Sequence, residues 1–213
     1  MTITFRPPNL IRKLTSIEEQ VHHFRVQDSL ILNIGSSGRR FGPHCINLDV
    51  QFKVGVDVQG DAHFLPFASS TFDVCILSAV LQYCHDPSRV ACEVHRVLKP
   101  GGYAFIDAPF VQPYCPDMPD LYRFTKHGLE RLWKDKFQIV TSCVSIPGSS
   151  AIAFYGQMLA SYGCRPRLVR GALTLFLSIL LYPLALSKTG RQHEIAGANL
   201  VVVKKIGEAD LIT

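Results

Sequence analysis

Several features that define common function classes are missing from this sequence. The seven cysteines form no Cys-x-x-Cys pair and their number is odd, which disfavours a zinc site or a disulfide framework. We therefore expect no metal site and mostly buried, reduced thiols. P-loop, Gly-x-Gly-x-x-Gly and Gly-x-Ser-x-Gly motifs do not occur. Their absence argues against a P-loop nucleotide-binding protein, a nicotinamide-binding domain and a serine hydrolase.

Charge is also sparse. Only 18% of the 213 residues are charged and 47% are hydrophobic, which suits one packed domain and argues against disorder. The excess of 22 basic over 17 acidic residues is small and is not gathered into a stripe, so we expect no nucleic-acid partner. The segment 1–14 has no apolar core of signal-peptide length, and we expect a cytoplasmic protein.

Short apolar runs alternate with segments that favour helices. Two overlapping capping boxes, Thr15/Glu18 and Ser16/Glu19, predict a helix to about Arg25. Pro100-Gly101-Gly102 predicts a turn. Strands are predicted at 30–34, 45–50, 54–58, 72–77, 103–108, 137–145 and 198–203, and helices at 87–98 and from 125.

This alternation predicts a parallel sheet covered by helices on both faces. Only about ten residues separate Gly35 from the second predicted strand, and still fewer lead from there to Val54. Parallel crossovers usually need about a dozen residues or more. We therefore expect short turns in the first two connections instead of full helices.

Three local patterns carry chemistry. The turn Gly35-Ser36-Ser37-Gly38 has small residues that allow backbone N–H groups to approach a ligand. Asp49, at the end of the next strand, can accept hydrogen bonds from the vicinal hydroxyls of a ribose. In Gly60-Asp61-Ala62, the carboxylate can accept from an exocyclic amine, and the alanine leaves room for a flat ring.

The order of these motifs, followed by "LPF", "FDV" and "RVLKPGG", closely resembles the class I methyltransferases that bind S-adenosylmethionine, in particular the type 11 subgroup. The resemblance covers about 30–110. It implies an α/β fold with a Rossmann-like, mostly parallel sheet and an antiparallel last strand. We expect 1–213 to be a single methyltransferase domain, with an N-terminal helical extension (1–28) and an apolar helical insertion (149–192) before the last strand.

The resemblance also implies a site for S-adenosylmethionine. It assigns the glycine turn to the methionine part of the cofactor, a strand-end carboxylate to the ribose, and the Asp-Ala pair to the adenine. The family usually has an acid where Asn33 stands; asparagine can accept a hydrogen bond from the cofactor's ammonium but brings no charge. The expected cofactor-binding residues are Asn33, Gly35, Ser36, Ser37, Asp49, Asp61, Ala62 and Ser78.

Methyl transfer from a sulfonium is an in-line displacement, so the enzyme mainly holds the acceptor and the methyl group in line. A general base is needed only for an acceptor that is protonated at working pH. Five residues near the expected pocket mouth are candidates for that role, but for each a structural role is favoured, so no catalytic residue is assigned. They are His85, Asp107, Tyr114, Tyr122 and His127.

The uncharged segment 171–187 lies between basic residues. Its length is at the lower limit of a membrane span, and Pro183 with the flanking charges suits an interfacial helix better. A membrane span is also disfavoured by the final strand at 200–203. This strand belongs to the same sheet, so the chain must end on the side of the membrane where it began. Three interpretations stay open: buried helices that cap the substrate pocket, an element in contact with a membrane surface, and a dimer contact.

Three functions compete. The first is methyl transfer to a small-molecule or lipid-like acceptor. The second is a binding module with the same fold and little or no turnover. It is suggested by Asn33 and by the turn after the first strand, which has only Gly35 and Gly38 where the family usually has a further glycine. The third, a nicotinamide oxidoreductase, shares the strand-end acid but lacks the glycine fingerprint. The acceptor and the oligomeric state stay open.

Overall fold

The fold is built on one seven-stranded mixed sheet. A computed structural model describes residues 13–26, 28–116, 118–163, 167–186 and 196–206. Its strands are β1 (Ile31–Ile34), β2 (Cys45–Asp49), β3 (Val58–Gln59), β4 (Phe72–Ser78), β5 (Leu98–Pro109), β6 (Phe137–Ile146) and β7 (Ala198–Lys205). Its α-helices are α1 (Ile17–His23), α2 (Pro87–Val97), α3 (Lys126–Lys134), α4 (Gly148–Gly163) and α5 (Arg167–Leu186). The strand order is β3-β2-β1-β4-β5-β7-β6.

The first five strands are parallel, and the most central of them are covered on both faces. All four residues of β1 are buried, and Ile31 lies between Cys45 of β2 and Val74 of β4. Short apolar runs without alternation are what such doubly covered strands require. The strands predicted at 30–34, 45–50 and 72–77 are confirmed.

The last strand is antiparallel and lies between β5 and β6. Phe105 pairs with Val202, and Ile139 pairs with Val203, both in antiparallel register. The predicted α/β fold, a mostly parallel Rossmann-like sheet with an antiparallel last strand, is confirmed.

Helix caps lie close to where the sequence places them. The Ser16/Glu19 capping box forms at α1, while Thr15 accepts from the Gln20 side chain instead of pairing with Glu18. The α1 helix covers one face of the sheet through Ile17 and Val21, whereas α2 and α3 cover the other. Both faces of the sheet are therefore packed with apolar side chains.

The strand predicted at 54–58 is wrong. Only Val58 and Gln59 pair with β2, while Val54 is fully exposed. The reason is Gly55, whose φ of +87° turns the chain back before a strand can start. The connections 35–44 and 50–57 contain no helix, as their length predicted. The predicted turn at 100–102 forms inside β5, with Gly101 at φ +79°.

The apolar insertion forms the helix pair α4 and α5 before β7. Pro183 lies within α5. Arg165, Lys188 and Arg191, which flank the apolar segment in the sequence, lie outside the described residues, as do Cys164 and residues 1–12. Among the helices that the structure describes, none has the length and apolarity needed to cross a membrane.

Candidate cofactor site

A cavity of about 420 Å³ opens at the carboxyl ends of β1, β2 and β4. The chain leaves β1 for β2 on one side and reaches β4 on the other, and such a reversal of strand order creates a crevice. The cavity is lined by Ile34, Gly35, Ser37, Leu48, Asp49, Val50, Gln51, Lys53, Gly60, Asp61, Ala62, His63, Ser78, Ala79, Val80, Tyr83, Cys84, His85 and Met118.

The turn after β1 forms part of the cavity wall. Gly35 and Gly38 have φ values of +66° and +84°, in the left-handed region that favours glycine. A Cβ on Gly38 would lie 2.4 Å from the carbonyl oxygen of Val54, so a side chain is sterically excluded there. Ser37 also has a positive φ, +46°, and its backbone N–H donates to Oδ2 of Asp49 over 2.9 Å. The turn therefore depends on glycine at one position and on a carboxylate contact at another.

Asp49 is the first of two carboxylates at the cavity. Its Oδ2 accepts from the Ser37 N–H and its Oδ1 from the Gln51 N–H, with an N···O distance of 2.9 Å in each case. The residue is only 9% exposed. Because each carboxylate oxygen has more than one lone pair, Asp49 is oriented by these bonds and can still accept from vicinal hydroxyls.

Asp61, the second carboxylate, is held by His63. The backbone N–H of His63 donates to Asp61 Oδ1 over 2.9 Å, and His63 Nδ1 lies 2.5 Å from the same oxygen. The backbone N–H of Asp86 donates to His63 Nε2, so the ring proton is on Nδ1 and is donated to Asp61. Burial alone would raise the pKa of Asp61, but the hydrogen bonds from His63 outweigh it and the pKa is lowered.

The segment that carries Asp61 is supported from below by α2. Buried Glu93 accepts from the Leu65 backbone N–H over 2.8 Å and from the Arg96 side chain. Arg96 also donates to the carbonyl oxygens of Leu65 and Phe67. One ion pair on α2 therefore holds both the N–H and the carbonyl groups of this segment.

The loop after β5 folds over the cavity and contributes Met118 to it. Asp120 and Arg123 form an ion pair, and Arg123 also donates to the carbonyl oxygen of Pro113. The hydroxyl of Tyr122 donates to the carbonyl oxygen of His85 over 3.1 Å. These contacts tie the loop to itself and to the segment after β4.

Six of the eight predicted site residues line the cavity: Gly35, Ser37, Asp49, Asp61, Ala62 and Ser78. Asn33 and Ser36 do not. The Asn33 amide donates to the carbonyl oxygen of Arg39 over 2.6 Å and to Oδ1 of Asn47 over 3.1 Å. The hydroxyl of Ser36 accepts from the Gly38 N–H. Both side chains therefore hold the turn together from inside the fold.

Of the five residues considered as bases, only His85 lines the cavity, where its ring stacks on His63 with centroids 3.9 Å apart. Tyr114, Tyr122 and His127 are exposed. Asp107 is buried and accepts from the Ser145 hydroxyl over 2.6 Å; burial raises its pKa. It shares the α1 face of β5 with Phe105 and is not part of the cavity wall.

His63 and Glu93, which support this site, are not among the residues that the sequence motifs predict. The spacing of Glu93 and Arg96 on a predicted helix is a visible pairing signal, because residues three apart share a helix face. The role of His63 had no such signal, since its second partner, the N–H of Asp86, lies 23 residues away.

Comparison with known proteins finds a methyltransferase domain in this chain. A family model described as a methyltransferase domain matches residues 42–106. The uncharacterized protein YafS of Escherichia coli K12 is 41% identical over 63 residues, covering 30% of this chain and 26% of that protein. The ubiquinone/menaquinone biosynthesis C-methyltransferase UbiE of Haemophilus ducreyi is 37% identical over 67 residues, covering 32% of this chain and 26% of that enzyme. The matches therefore span about a quarter of these relatives.

A solved structure supports the fold. The 1,6-didemethyltoxoflavin-N1-methyltransferase of Burkholderia thailandensis, with bound 1,6-didemethyltoxoflavin and S-adenosylhomocysteine, superposes with a TM-score of 0.56 at 14% identity. The superposition covers 89% of this chain and 76% of that one. The segment 42–106 is therefore similar to a methyltransferase domain, and the described part of the chain has the class I, Rossmann-like methyltransferase fold.

Proposed function

We propose that the chain transfers a methyl group from S-adenosylmethionine to a small-molecule or lipid-like acceptor. The observation that carries this proposal is the pair of oriented carboxylates, Asp49 and Asp61, in one cavity beside a glycine turn. The first suits the ribose hydroxyls and the second suits the exocyclic amine of adenine. The volume of about 420 Å³ is within the range of small-molecule sites, roughly 300–1,000 Å³.

The glycine turn and Val80 form one wall of the cavity. A Cβ on Gly35 would meet the Val80 side chain at 2.4 Å, so glycine allows Val80 to pack directly against the turn. When bound, S-adenosylmethionine supplies an electrophilic methyl group on a sulfonium. The chain's own residues would orient the cofactor through Asp49 and Asp61, while Val80 and Met118 would limit access of water.

The class of acceptor is drawn from the relatives. The Haemophilus ducreyi protein is named as a C-methyltransferase of ubiquinone and menaquinone biosynthesis. By similarity, we expect a small or lipid-like acceptor here. The acceptor would enter beside Ser78, His85 and Met118, where the strand end and the loop after β5 meet the cavity.

A binding module with little turnover is the second candidate, and Asn33 favours it. Among the residues described as lining the cavity, the only carboxylates are Asp49 and Asp61, and the Asn33 amide is engaged inside the fold. A cofactor ammonium would then have fewer charged partners, which would weaken binding by about 1 kcal/mol.

Calorimetric titration with S-adenosylmethionine, S-adenosylhomocysteine and NAD separates these functions. We expect both sulfur compounds to bind and NAD to give no heat. Binding without loss of the methyl group to any quinone-like or carboxylic acceptor would favour the binding module. The absence of heat from both sulfur compounds up to millimolar concentration would contradict the cofactor assignment.

Replacing His63 by leucine is expected to weaken S-adenosylhomocysteine binding about fivefold, because Asp61 loses a donor worth about 1 kcal/mol. His63→Gln should retain part of the affinity, since an amide can both donate and accept. The exposed His22→Leu is the matched control. A specific readout is titration with S-inosylhomocysteine, which lacks the exocyclic amine of adenine. The ratio of the affinities for S-adenosylhomocysteine and S-inosylhomocysteine should be smaller in His63→Leu than in the wild type. An unchanged ratio would show that His63 does not position Asp61.

A further inference from the structure

The helices α4 and α5 form an antiparallel pair, the α4–α5 hairpin, that has polar residues on its inside. Gln157 donates from Nε2 to the Ser178 hydroxyl over 2.9 Å, and Ser178 donates to the carbonyl oxygen of Thr174 over 2.6 Å. All three residues are buried. A Cβ on Gly156 would lie 2.6 Å from Leu181 Cδ1, so the helices approach closely at a small residue.

The outer surface of the same hairpin is apolar. Helices at the surface of a water-soluble protein normally bury their apolar stripe and expose their polar one. Here the arrangement is reversed, and large apolar side chains are between about half and three-quarters exposed. They are Ile152, Leu159, Val169, Phe176, Ile179 and Leu180. Close contact at small residues with polar links inside and apolar residues outside is typical of helices packed in lipid.

Charge in this part of the chain has one sign. Between Asp135 and Glu194 the sequence contains no acidic residue but six basic ones. Lys136 lies before β6, away from the hairpin, and the other five follow α4 in the sequence; among these five, the side chain of Arg170 is described and is exposed in the amino-terminal part of α5. An apolar face flanked in the sequence by basic residues alone is complementary to an anionic bilayer. Two copies of the chain that met through this surface would bring like charges together.

The hairpin leaves the sheet at the edge where the cavity opens. The strands β5 and β6 are both antiparallel to β7 and therefore run parallel to each other, so their carboxyl ends share one edge. Ile146, at the end of β6, pairs with Ala198 at the start of β7. Both ends of the insertion are thus fixed at this edge. None of the residues described in α4 and α5 lines the cavity, which disfavours the interpretation of the hairpin as a buried pocket cap.

We propose that the outer face of the α4–α5 hairpin docks on the surface of an anionic membrane, lying in the interface without crossing it. The docked hairpin holds the sheet edge with the cavity next to the bilayer. The lipid contact itself is independent of catalysis. Only its consequence, that a lipid-like acceptor reaches the cavity from the membrane, rests on the proposed function.

Vesicle flotation with the full chain tests this docking. We expect the protein to float with phosphatidylcholine vesicles that contain phosphatidylglycerol, and to float less with phosphatidylcholine alone. In the double variant Phe176→Glu, Ile179→Glu the vesicle partition should fall by about a hundredfold, since each buried side chain contributes about tenfold. Arg170→Gln should reduce it about fivefold, with a smaller effect at high salt.

The control is Val54→Glu, which places one glutamate on a fully exposed apolar residue before β3, at the end of the strand order opposite to β6. It should float like the wild type. Circular dichroism checks that each variant is folded. Wild-type protein that does not float with anionic vesicles, or a double variant that floats unchanged, would overturn the proposal. A wild-type dimer that the double variant dissociates, without flotation, would assign the face to a second copy instead. Cofactor titration without vesicles tests the proposed function separately.

Discussion

Replacement of Asp49 by alanine is expected to weaken S-adenosylhomocysteine binding by about ten- to a hundredfold, or roughly 1–3 kcal/mol. Two effects add. The variant loses the acceptor proposed for the ribose hydroxyls, and it also releases the N–H groups of Ser37 and Gln51. Since Ser37 has φ +46°, which a serine rarely adopts, the turn should relax once this contact is gone. Calorimetric titration measures the loss of affinity directly.

The matched control is Asp73→Ala. Asp73 also accepts from a backbone N–H, that of Leu30, but it lies near the start of β4, at the edge of the sheet opposite the cavity. We expect this variant to lower the melting temperature and to leave the affinity unchanged. If Asp49→Ala bound as tightly as the wild type, the assignment of the ribose site would be wrong. An equal loss in both variants would point to general destabilisation.

Removal of the Glu93 carboxylate is expected to have the largest effect on stability. Glu93→Ala leaves the Leu65 N–H without its acceptor and Arg96 without its counter-charge in a poorly solvated site. Breaking such a pair on one side costs about 2–4 kcal/mol, somewhat less than for a fully buried pair because Arg96 is partly exposed. Urea unfolding at neutral pH measures the loss. We also expect weaker cofactor binding, since the same segment carries Asp61.

The Glu93 pair also predicts the sign of a pH effect. Hydrogen bonding from Arg96 lowers the pKa of Glu93 below its value in the unfolded chain, against the opposing effect of burial. The stabilisation is therefore complete above the unfolded pKa, about 4.3, and is lost as the pH falls through the lower folded value. The stability difference between wild type and Glu93→Gln should shrink as the pH falls below about 4.

Glu130→Gln serves as the control for this pair. Its partner Lys126 is at 4.0 Å in a partly exposed i,i+4 pair, which is worth about 0.5 kcal/mol or less. Its stability should therefore stay close to that of the wild type across the same pH range. A Glu93→Ala variant no less stable than Glu130→Gln would exclude the structural role given to Glu93.

The sequence motifs predict much of the cavity because its polar residues lie at or just after the ends of strands. A buried parallel strand is a short apolar run, and the residue that follows it must lie at the carboxyl edge of the sheet. Gly35 and Asp49 lie at such strand ends, and the resemblance to class I methyltransferases implies that Asp61 and Ser78 lie beside them. The resemblance to class I methyltransferases supplied the antiparallel position of β7, which local patterns do not predict.

Two predictions from the sequence differ from the structure. In one, a hydrogen-bond partner distant in the sequence decides where a side chain lies; in the other, backbone conformation overrides side-chain preference. Asn33 was expected at the cofactor, but the amide oxygen of Asn47, 14 residues away, draws its amide inward. The valines at 54–58 favour a strand, yet the left-handed Gly55 prevents it. Glycine allows such a conformation without requiring it, so the outcome depended on the close contact between Gly55 and Gly38.

The amino-acid pattern alone predicted a parallel sheet covered on both faces, the turn after β1 and the two carboxylates as acceptors, because these features follow from the two-sided burial of parallel strands and from residues close together in the chain. It could not determine which side of the α4–α5 hairpin faces inward. That outcome depends on Gln157 meeting Ser178 across 21 residues and on Gly156 admitting Leu181. Since apolar side chains can pack inward or remain outside with equal local preference, only helix-to-helix contacts select one arrangement.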